Sequence, residues 1–573
     1  MWRAVVVVCV LCLMALSTPS CQSSGVPLQE RMARGVNGGS NCATCSIVLG
    51  LIYQLSEIHN ETVVKAMERL CSFLPSQFKE PCDVAVDFLT PFLIQIITDE
   101  ETPDAVCLSL GFCTTDPGHQ TCRLWPKPKT DFNSAVKLRR ALIEKITRTK
   151  LLEPSICKLP GIKEICAWVD TTIGHHLPSF DVDVDGFSNV QTLRGYSWRG
   201  ADCNDDRSDV HPGTRPVDSD VTFDSNCNGI YGSDPTSTRP YEDVLCGGTQ
   251  PRGIAVLGDS VGAHFHLPEE WFDSRKLSPK VFENLPFIIE NEIDWPEMSS
   301  VTGTNHINCF YAKLHLSVLH TLLYSTSKCG LVLIIPCNII KSFNIHSLRR
   351  NQLKDYPMLI IYSLVGNDVC NGHADTFAHM TTPQEMYDNA LKTMLYLDKV
   401  LPPNSSVMMT GLAEGRFLYD SLHDRIHPIG RLHNDVTYPD LYDYFNCLEI
   451  SPCTGWMNTN KTVRDMTSER AEQLSAALQD LANNNASLFT NFKLYYMECP
   501  LNIGFRFWAK YGLPTWKLIE PVDGFHDNQF GQALTAQIAW DYFEKNHPEI
   551  LGSINPNNAE IERIFGQQGG YRN

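Results

Sequence analysis

Positive charge is scarce in this chain. Lys and Arg number 47 against 65 Asp and Glu, a formal net charge of −18 over 573 residues. No long basic run offsets the deficit, which argues against a nucleic-acid partner. An anionic lipid must therefore be met by a local basic patch or a bridging cation. Long unbroken apolar runs are also missing beyond the N-terminus. The best candidate, 314–340, is interrupted by Lys328, Gly330 and Pro336 and carries His315 and His320, so no transmembrane helix is expected there. What remains is 43% hydrophobic and 20% charged, the composition of a globular chain long enough for two or three domains.

The N-terminus has Arg3, an apolar stretch over 4–16, then small and polar residues. This pattern reads as a secretory signal peptide over 1–22, followed by a polar leader or propeptide over 23–41. The 22 cysteines suit an oxidising compartment. Removing the three up to Cys21 leaves an odd number. Sequons at Asn60, Asn404, Asn460 and Asn485 agree with secretion. The expected destination is the extracellular space or the endolysosomal and secretory vesicles.

Six cysteines follow: Cys42, Cys45, Cys71, Cys82, Cys107 and Cys113. Ile47, Leu51, Ile52 and Leu55, then Val84, Phe88, Leu89 and Phe92, recur at helical spacing. Cysteine count alone leaves the pairing open. A zinc reading of Cys42-x-x-Cys45 lacks a second ligand pair at metal spacing. The spacing resembles the saposin B-type domain, here over 42–122. The resemblance implies bridges Cys42–Cys113, Cys45–Cys107 and Cys71–Cys82 around four or five helices. It also implies transient contact with acyl chains, a membrane or a micelle. A helical bundle that only chaperones the rest of the chain is the plainer alternative.

Lys127, Lys129, Lys137, Arg139, Arg140, Lys145, Arg148 and Lys150 concentrate in a linker, 123–160. Leu138, Leu142 and Ile146 suggest one amphipathic helix within it. The stretch reads as a linker and processing zone, and as the best basic patch in an acidic chain.

Between 175 and 245, three runs alternate acids and amides. They are Asp181, Asp183 and Asp185 before Gly186; Asp202, Asn204 and Asp205; and Asp224, Asn226 and Asn228 before Gly229. Such loops aim several hard oxygens at one centre, which suits calcium. The first and third begin like EF-hand loops, but Thr192 and Pro235 stand where the closing Glu belongs. A remote carboxylate such as Glu242 or Asp220 must complete any site. The expectation is a structural Ca²⁺, with Cys203 and Cys227 bridging the second and third runs. One such run alone is more often an Asx-rich turn.

From 250 to 550, short apolar runs alternate with helical stretches. Strands are expected over 254–257, 358–365, 407–411 and 493–497, and helices over 382–400 and 468–481. This pattern predicts an α/β domain, a parallel sheet sandwiched by helices, ahead of a polar tail over 551–573. Three landmarks end apolar runs and are expected at strand ends: Gly258-Asp259-Ser260, Gly366-Asn367-Asp368 and Asp523-Gly524-Phe525-His526. A serine hydroxyl is a weak nucleophile and needs a histidine to take its proton and a carboxylate to orient that histidine. His526 and Asp523 can supply both. Asn367 and the backbone N–H of Ser260 can donate to an oxyanion. His264 and His266 read as packing or turn residues.

These blocks, in this order, resemble the GDSL or SGNH superfamily of serine esterases and lipases. The resemblance implies Ser260 as nucleophile, His526 as general base and acid, Asp523 as orienter and Asn367 as oxyanion donor. The stretches Leu193-Arg-Gly-Tyr-Ser-Trp-Arg-Gly200, Gly258-Asp-Ser-Val-Gly-Ala-His-Phe-His266 and Glu520-Pro-Val-Asp-Gly-Phe-His526 narrow it further. Together with the saposin-like and Asp-rich segments, they resemble lipases that remove secondary, acyloxyacyl-linked fatty acids from the lipid A of bacterial lipopolysaccharide. That likeness implies cleavage near 147–155 into small and large subunits joined by a disulfide such as Cys122–Cys453. One interval departs from the superfamily pattern. Residues 305–343 hold Cys309, Cys329 and Cys337 but no Asn-Gly or Ser-Gly turn at a strand end, so the second block's glycine donor is missing. A general phospholipase or acyl-esterase, and a catalytically weakened lipid-binding protein, are the competing expectations.

Overall fold

A computed structural model describes residues 34–96, 102–126, 137, 155–173, 177–249, 252–301, 332–335, 351–551 and 555–566. The expected signal peptide, most of the leader, the amphipathic helix of the basic stretch, the cleavage zone up to 154, most of 305–343 and the end of the tail lie outside the described residues. No single described helix is long and apolar enough to cross a membrane.

The N-terminal unit contains α1 (Gly39–Ile58), α2 (Val63–Ser72), α3 (Ser76–Ile96) and α4 (Pro103–Leu110). Thr62 and Thr102 accept the backbone N–H groups of Lys65 and Ala105, satisfying donors that a first turn leaves unpaired. Disulfides Cys42–Cys113, Cys45–Cys107 and Cys71–Cys82 staple the helices. A further helix, α5 (Ile162–Ile173), is pinned by Cys157–Cys166 and sets Trp168 edge-on to Phe78 of α3.

Helix α1 is buried on nearly every face from Gly39 to Leu55. A helix apolar all round needs neighbours all round, and its own domain supplies only part of them. The core that holds α1 to α5 continues without a break into Phe265–Ile293, Ile429–Leu448 and Val522 of the second domain. Gln54 of α1 donates to the Ile429 carbonyl at 2.7 Å and accepts from Ser274 Oγ at 2.7 Å. The two domains therefore share one apolar interior.

The second domain is built on five parallel strands. They are β1 (Gly253–Gly258), β2 (Val332–Ile335), β3 (Met358–Ser363), β4 (Ser405–Thr410) and β5 (Phe492–Met497), in the order β2-β1-β3-β4-β5. Helices α6 (Pro383–Val400), α7 (Tyr438–Cys447), α8 (Lys461–Asn485), α9 (Pro500–Lys510) and α10 (Gln529–Asn546) pack around the sheet. Every residue of β4 is buried, as expected of a central strand covered on both sides. Strand order reverses between β1 and β3, with β2 on one side of β1 and β3, β4 and β5 on the other, which makes this the switch point at which such sheets place ligands.

Three expectations need correction. Cys122 pairs with Cys447, not Cys453. Val36 donates to the Leu448 carbonyl, and Asn37 donates to Gln120, so the 120–122 segment lies against the end of α7. Cys453 is instead bonded to Cys370, behind the Gly366-Asn367 turn. Helix α8 starts at Lys461 rather than near Ser468, because Asn460 caps Thr462 while Thr467 bonds back to the Val463 carbonyl. The run before Asp523 is no sheet strand. It is a turn of 3₁₀ helix, Thr515–Leu518, followed by an isolated bridge between Ile519 and Asp527.

The corrected pairing has a direct check. Non-reducing peptide mapping of a Cys453→Ser variant should still recover the Cys122 peptide bonded to the Cys447 peptide. Loss of that cross-link would restore Cys453 as the partner.

Candidate active site

The site begins where β1 and β3 end. Gly258 lies so near β3 that a Cβ there would stand 3.0 Å from the Ser363 carbonyl, so a larger residue would press β1 away from β3. Asp259 follows, 3% exposed. Its Oδ1 accepts the Val261 N–H at 3.1 Å, and its Oδ2 accepts the N–H groups of Val365 and Gly366 at 2.8 and 3.2 Å. Burial raises the pKa of this carboxyl, and the three backbone donors work against that rise. The carboxylate thus fixes the Ser260 loop against the Asn367 loop.

Ser260 opens a single helical turn, Ser260–Ala263. Its Oγ lies 2.7 Å from His526 Nε2, and His526 Nδ1 lies 2.6 Å from Asp523 Oδ2. With Nδ1–H donated to the carboxylate, Nε2 is left to accept the serine proton. Asp523 Oδ1 also accepts the N–H groups of Phe525 and His526. Burial alone would lower the His526 pKa, but the charge and hydrogen bond of Asp523 outweigh it, and the net shift is upward.

The turn carrying Asp523 and His526 hangs from side chains distant in sequence. Tyr438 and Tyr442 of α7 donate to the carbonyls of Pro521 and Gly524 at 2.6 and 2.7 Å. His427 accepts the Ile429 N–H at Nδ1, so its Nε2–H donates to the Val522 carbonyl at 2.7 Å. Burial holds that imidazole neutral, with its pKa pushed down to about 4. Gly524 has φ +60, and a Cβ there would stand 2.6 Å from Tyr442 Oη. The turn requires glycine on both counts.

Ser260, Gly366, Asn367 and His526 line one cleft. Its other walls are largely apolar, with Phe417, Leu418, Trp456, Leu501, Phe505 and Ile519 among them. The Ser260 hydroxyl, the His526 imidazole and Asn367 thus gather at the edge of an apolar cleft.

The Asp-rich runs form a separate cluster. Carboxylate oxygens of Asp181, Asp183 and Asp205, and of Asp183, Asp185 and Asp202, lie within 4.8 Å of one another. One buried oxygen of each of these five residues has no hydrogen-bond partner. Two overlapping groups of three such carboxylates, sharing Asp183, repel each other unless a cation joins them. Without one, burial first and mutual repulsion second push Asp185 up to about 7 and Asp202 up to about 6. Asn204 donates its backbone N–H to Asp202. The third run closes elsewhere: Asn226 and Asn228 both donate to Glu242 Oε1, and Asp224 accepts the Gly229 N–H. Cys203–Cys227 ties the second run to the third. Of the sequon residues, Asn60, Asn404 and Asn460 are exposed, while Asn485 donates to Tyr387 Oη.

The structural role of Asp259, and the parts played by His427, Tyr438 and Tyr442, do not emerge from the sequence reading. Asp259 stood in view inside Gly-Asp-Ser. The other three serve only backbone carbonyls and carry no spacing signal.

A saposin-like domain model matches residues 41–167. Acyloxyacyl hydrolase of Homo sapiens is 41% identical over 565 residues, covering 96% of this chain and 97% of that protein. The Mus musculus protein of the same name is 41% identical over 562 residues, 96% of each chain. That of Oryctolagus cuniculus is 42% identical over 543 residues, 92% of this chain and 93% of its own.

A fluorophosphonate probe tests the geometry. Ser260 should be labelled, and the labelling rate should fall as pH drops through the raised pKa of His526, because only the neutral imidazole accepts the proton. Asp523→Asn should lower the rate by about 10⁴-fold, the cost of presenting the wrong tautomer. An unchanged rate in that variant would remove Asp523 from the triad.

Proposed function

The chain belongs to the acyloxyacyl hydrolase family, and we propose that it is a lipase that removes secondary, acyloxyacyl-linked fatty acids from the lipid A of bacterial lipopolysaccharide, detoxifying it. The observation that carries this reading is the relay Ser260–His526–Asp523 at the edge of an apolar cleft. Ser260 Oγ attacks the ester carbonyl as its proton passes to His526 Nε2. The oxyanion forms beside Asn367 and the Ser260 N–H, each donor worth about 2.7–4 kcal/mol in the transition state. His526 then protonates the departing oxygen as its bond to the acyl carbon breaks, which frees the 3-hydroxyl of the other chain and leaves the fatty acid esterified to Ser260. Water, deprotonated by the same imidazole, releases the acid and restores the serine. This serine chemistry is of the GDSL or SGNH kind.

The helical N-terminal domain brings the lipid from a membrane or micelle surface. Secretion and delivery to endolysosomal or secretory vesicles suit its disulfides. Cleavage between 147 and 155 would activate a zymogen, with Cys122–Cys447 keeping the small and large subunits together. Asp181, Asp183, Asp185, Asp202 and Asp205 would hold a structural Ca²⁺. The ion would neutralise the carboxylates and fix the loops on which the hydrolase domain rests.

Two measurements test this reading. Fatty-acid release from purified lipopolysaccharide and from phosphatidylcholine should show secondary acyl chains leaving the first, and Ser260→Ala should abolish release. Preferential release from phosphatidylcholine would make the protein a general phospholipase. No Ser260-dependent release from either would leave only lipid binding. For the ion, EGTA should lower Tm by several degrees and calcium should restore it. An unmoved Tm would remove calcium from the account.

A further inference from the structure

We infer that His266 and Glu520 are positioning residues of the hydrolysis: a second imidazole–carboxylate pair that ties the Ser260 loop to the Asp523–His526 turn. The inference rests on the serine mechanism proposed above. His266 Nδ1 lies 2.9 Å from both carboxylate oxygens of Glu520, and the Glu520 side chain is 1% exposed. Glu520 is the base of the catalytic turn. Its N–H donates to the His526 carbonyl at 2.8 Å, and its carbonyl accepts the Gly524 N–H at 3.0 Å. A shift of Glu520 therefore moves His526 through the backbone.

The other end is equally fixed. His266 lies six residues beyond the nucleophile. Phe265 N–H donates to the Ser260 carbonyl, His266 N–H donates to Ile293, and Trp295 Nε1 donates to the His266 carbonyl. The pair thus joins two rigid pieces, one carrying the nucleophile and the other the base.

This tie matters because the direct one is lost in every cycle. Once Ser260 Oγ carries an acyl group it has no proton to give His526, yet the imidazole must stay aimed for deacylation. Three side-chain ties between these segments then remain among the described residues. Gln532 Nε2 spans the Val261 carbonyl and Asp527 Oδ1, the Phe265 ring lies 4.7 Å from the His526 ring, and His266 holds Glu520. Only the last joins an imidazole to a carboxylate.

The electrostatic setting gives the pair a signature that packing alone lacks. Besides Glu520, His266 faces Asp523 and Glu270, with His264 stacked 6.0 Å away. Glu520 in turn faces Asp523 and Asp527 as well as His266 and His526. Burial raises the pKa of the Glu520 carboxyl, and the charge and hydrogen bond of His266 oppose that rise; in its ionised form it adds to the charges that hold the proton on His526.

The test uses full-length Glu520→Gln, His266→Asn and Ser260→Ala variants with a short-chain p-nitrophenyl ester, measured across pH. Melting curves confirm that each is folded. Glu520→Gln is isosteric and carries the test alone if His266→Asn does not fold. Both variants should lose about 10- to 100-fold in kcat with KM within about threefold. Glu520→Gln should also move the acid limb of kcat/KM to lower pH, because the base has lost a nearby negative charge. His266→Asn, which keeps the carboxylate, should not lower it. Wild-type kcat in both variants would overturn the inference, as would a loss in Glu520→Gln with an unmoved acid limb. Full activity in Ser260→Ala would instead overturn the serine mechanism itself, so the two failures are distinguishable.

Discussion

The carboxylate of Asp259 is the point on which the site depends. Parallel strands β1 and β3 deliver Ser260 and Asn367 to the same edge of the sheet, but strand ends alone do not set a distance of chemical precision. Asp259 does so by accepting N–H groups from its own loop and from the loop after β3. The site therefore falls at the switch point because two loops part there, and it stays assembled because one buried anion spans the gap. Cys370–Cys453 braces the Asn367 loop from behind, which explains why this cysteine is not available to Cys122.

The helical domain and the hydrolase domain form one interior. Their common core includes α1 on one side and Val522, the residue before Asp523, on the other. His427 lies between them: its neighbour Ile429 receives Gln54 of α1, and its own Nε2–H holds the Val522 carbonyl. Packing between the domains thus runs up to the backbone of the catalytic turn. A rearrangement of α1 on lipid contact would be felt there through a short chain of buried contacts. This physical continuity joins the saposin-like domain to the turn that carries Asp523 and His526.

Much of this was legible because it follows from chain direction. Ser260 and Asn367 stand at the ends of apolar runs that become β1 and β3, and a buried parallel strand is apolar along its length. Asp523 and His526 were legible as residues three apart on a tight turn, although the run before them is no strand. The alternating acids of 181–185 and 202–205 were legible because loop carboxylates at that spacing converge. The third run shares the spelling but closes on Glu242, since its amides need an acceptor. What could not be read were partners set by tertiary approach. The tyrosines of α7 serve carbonyls about eighty residues away. Cys447 and Cys453 are six residues apart, and only the placement of Val36 and Asn37 chooses between them. Helix α8 was read short because Thr467 looks like a cap until its hydroxyl is seen bonded within the helix.

In this mechanism the fatty acid passes through an ester on Ser260. The most direct measurement is rapid acid quench of the enzyme during turnover of lipopolysaccharide, followed by peptide mass spectrometry. The peptide containing Ser260 should gain the mass of one secondary fatty acid less water. Steady release of fatty acid with no acylated Ser260 peptide, or with the acyl group on another residue, would contradict it.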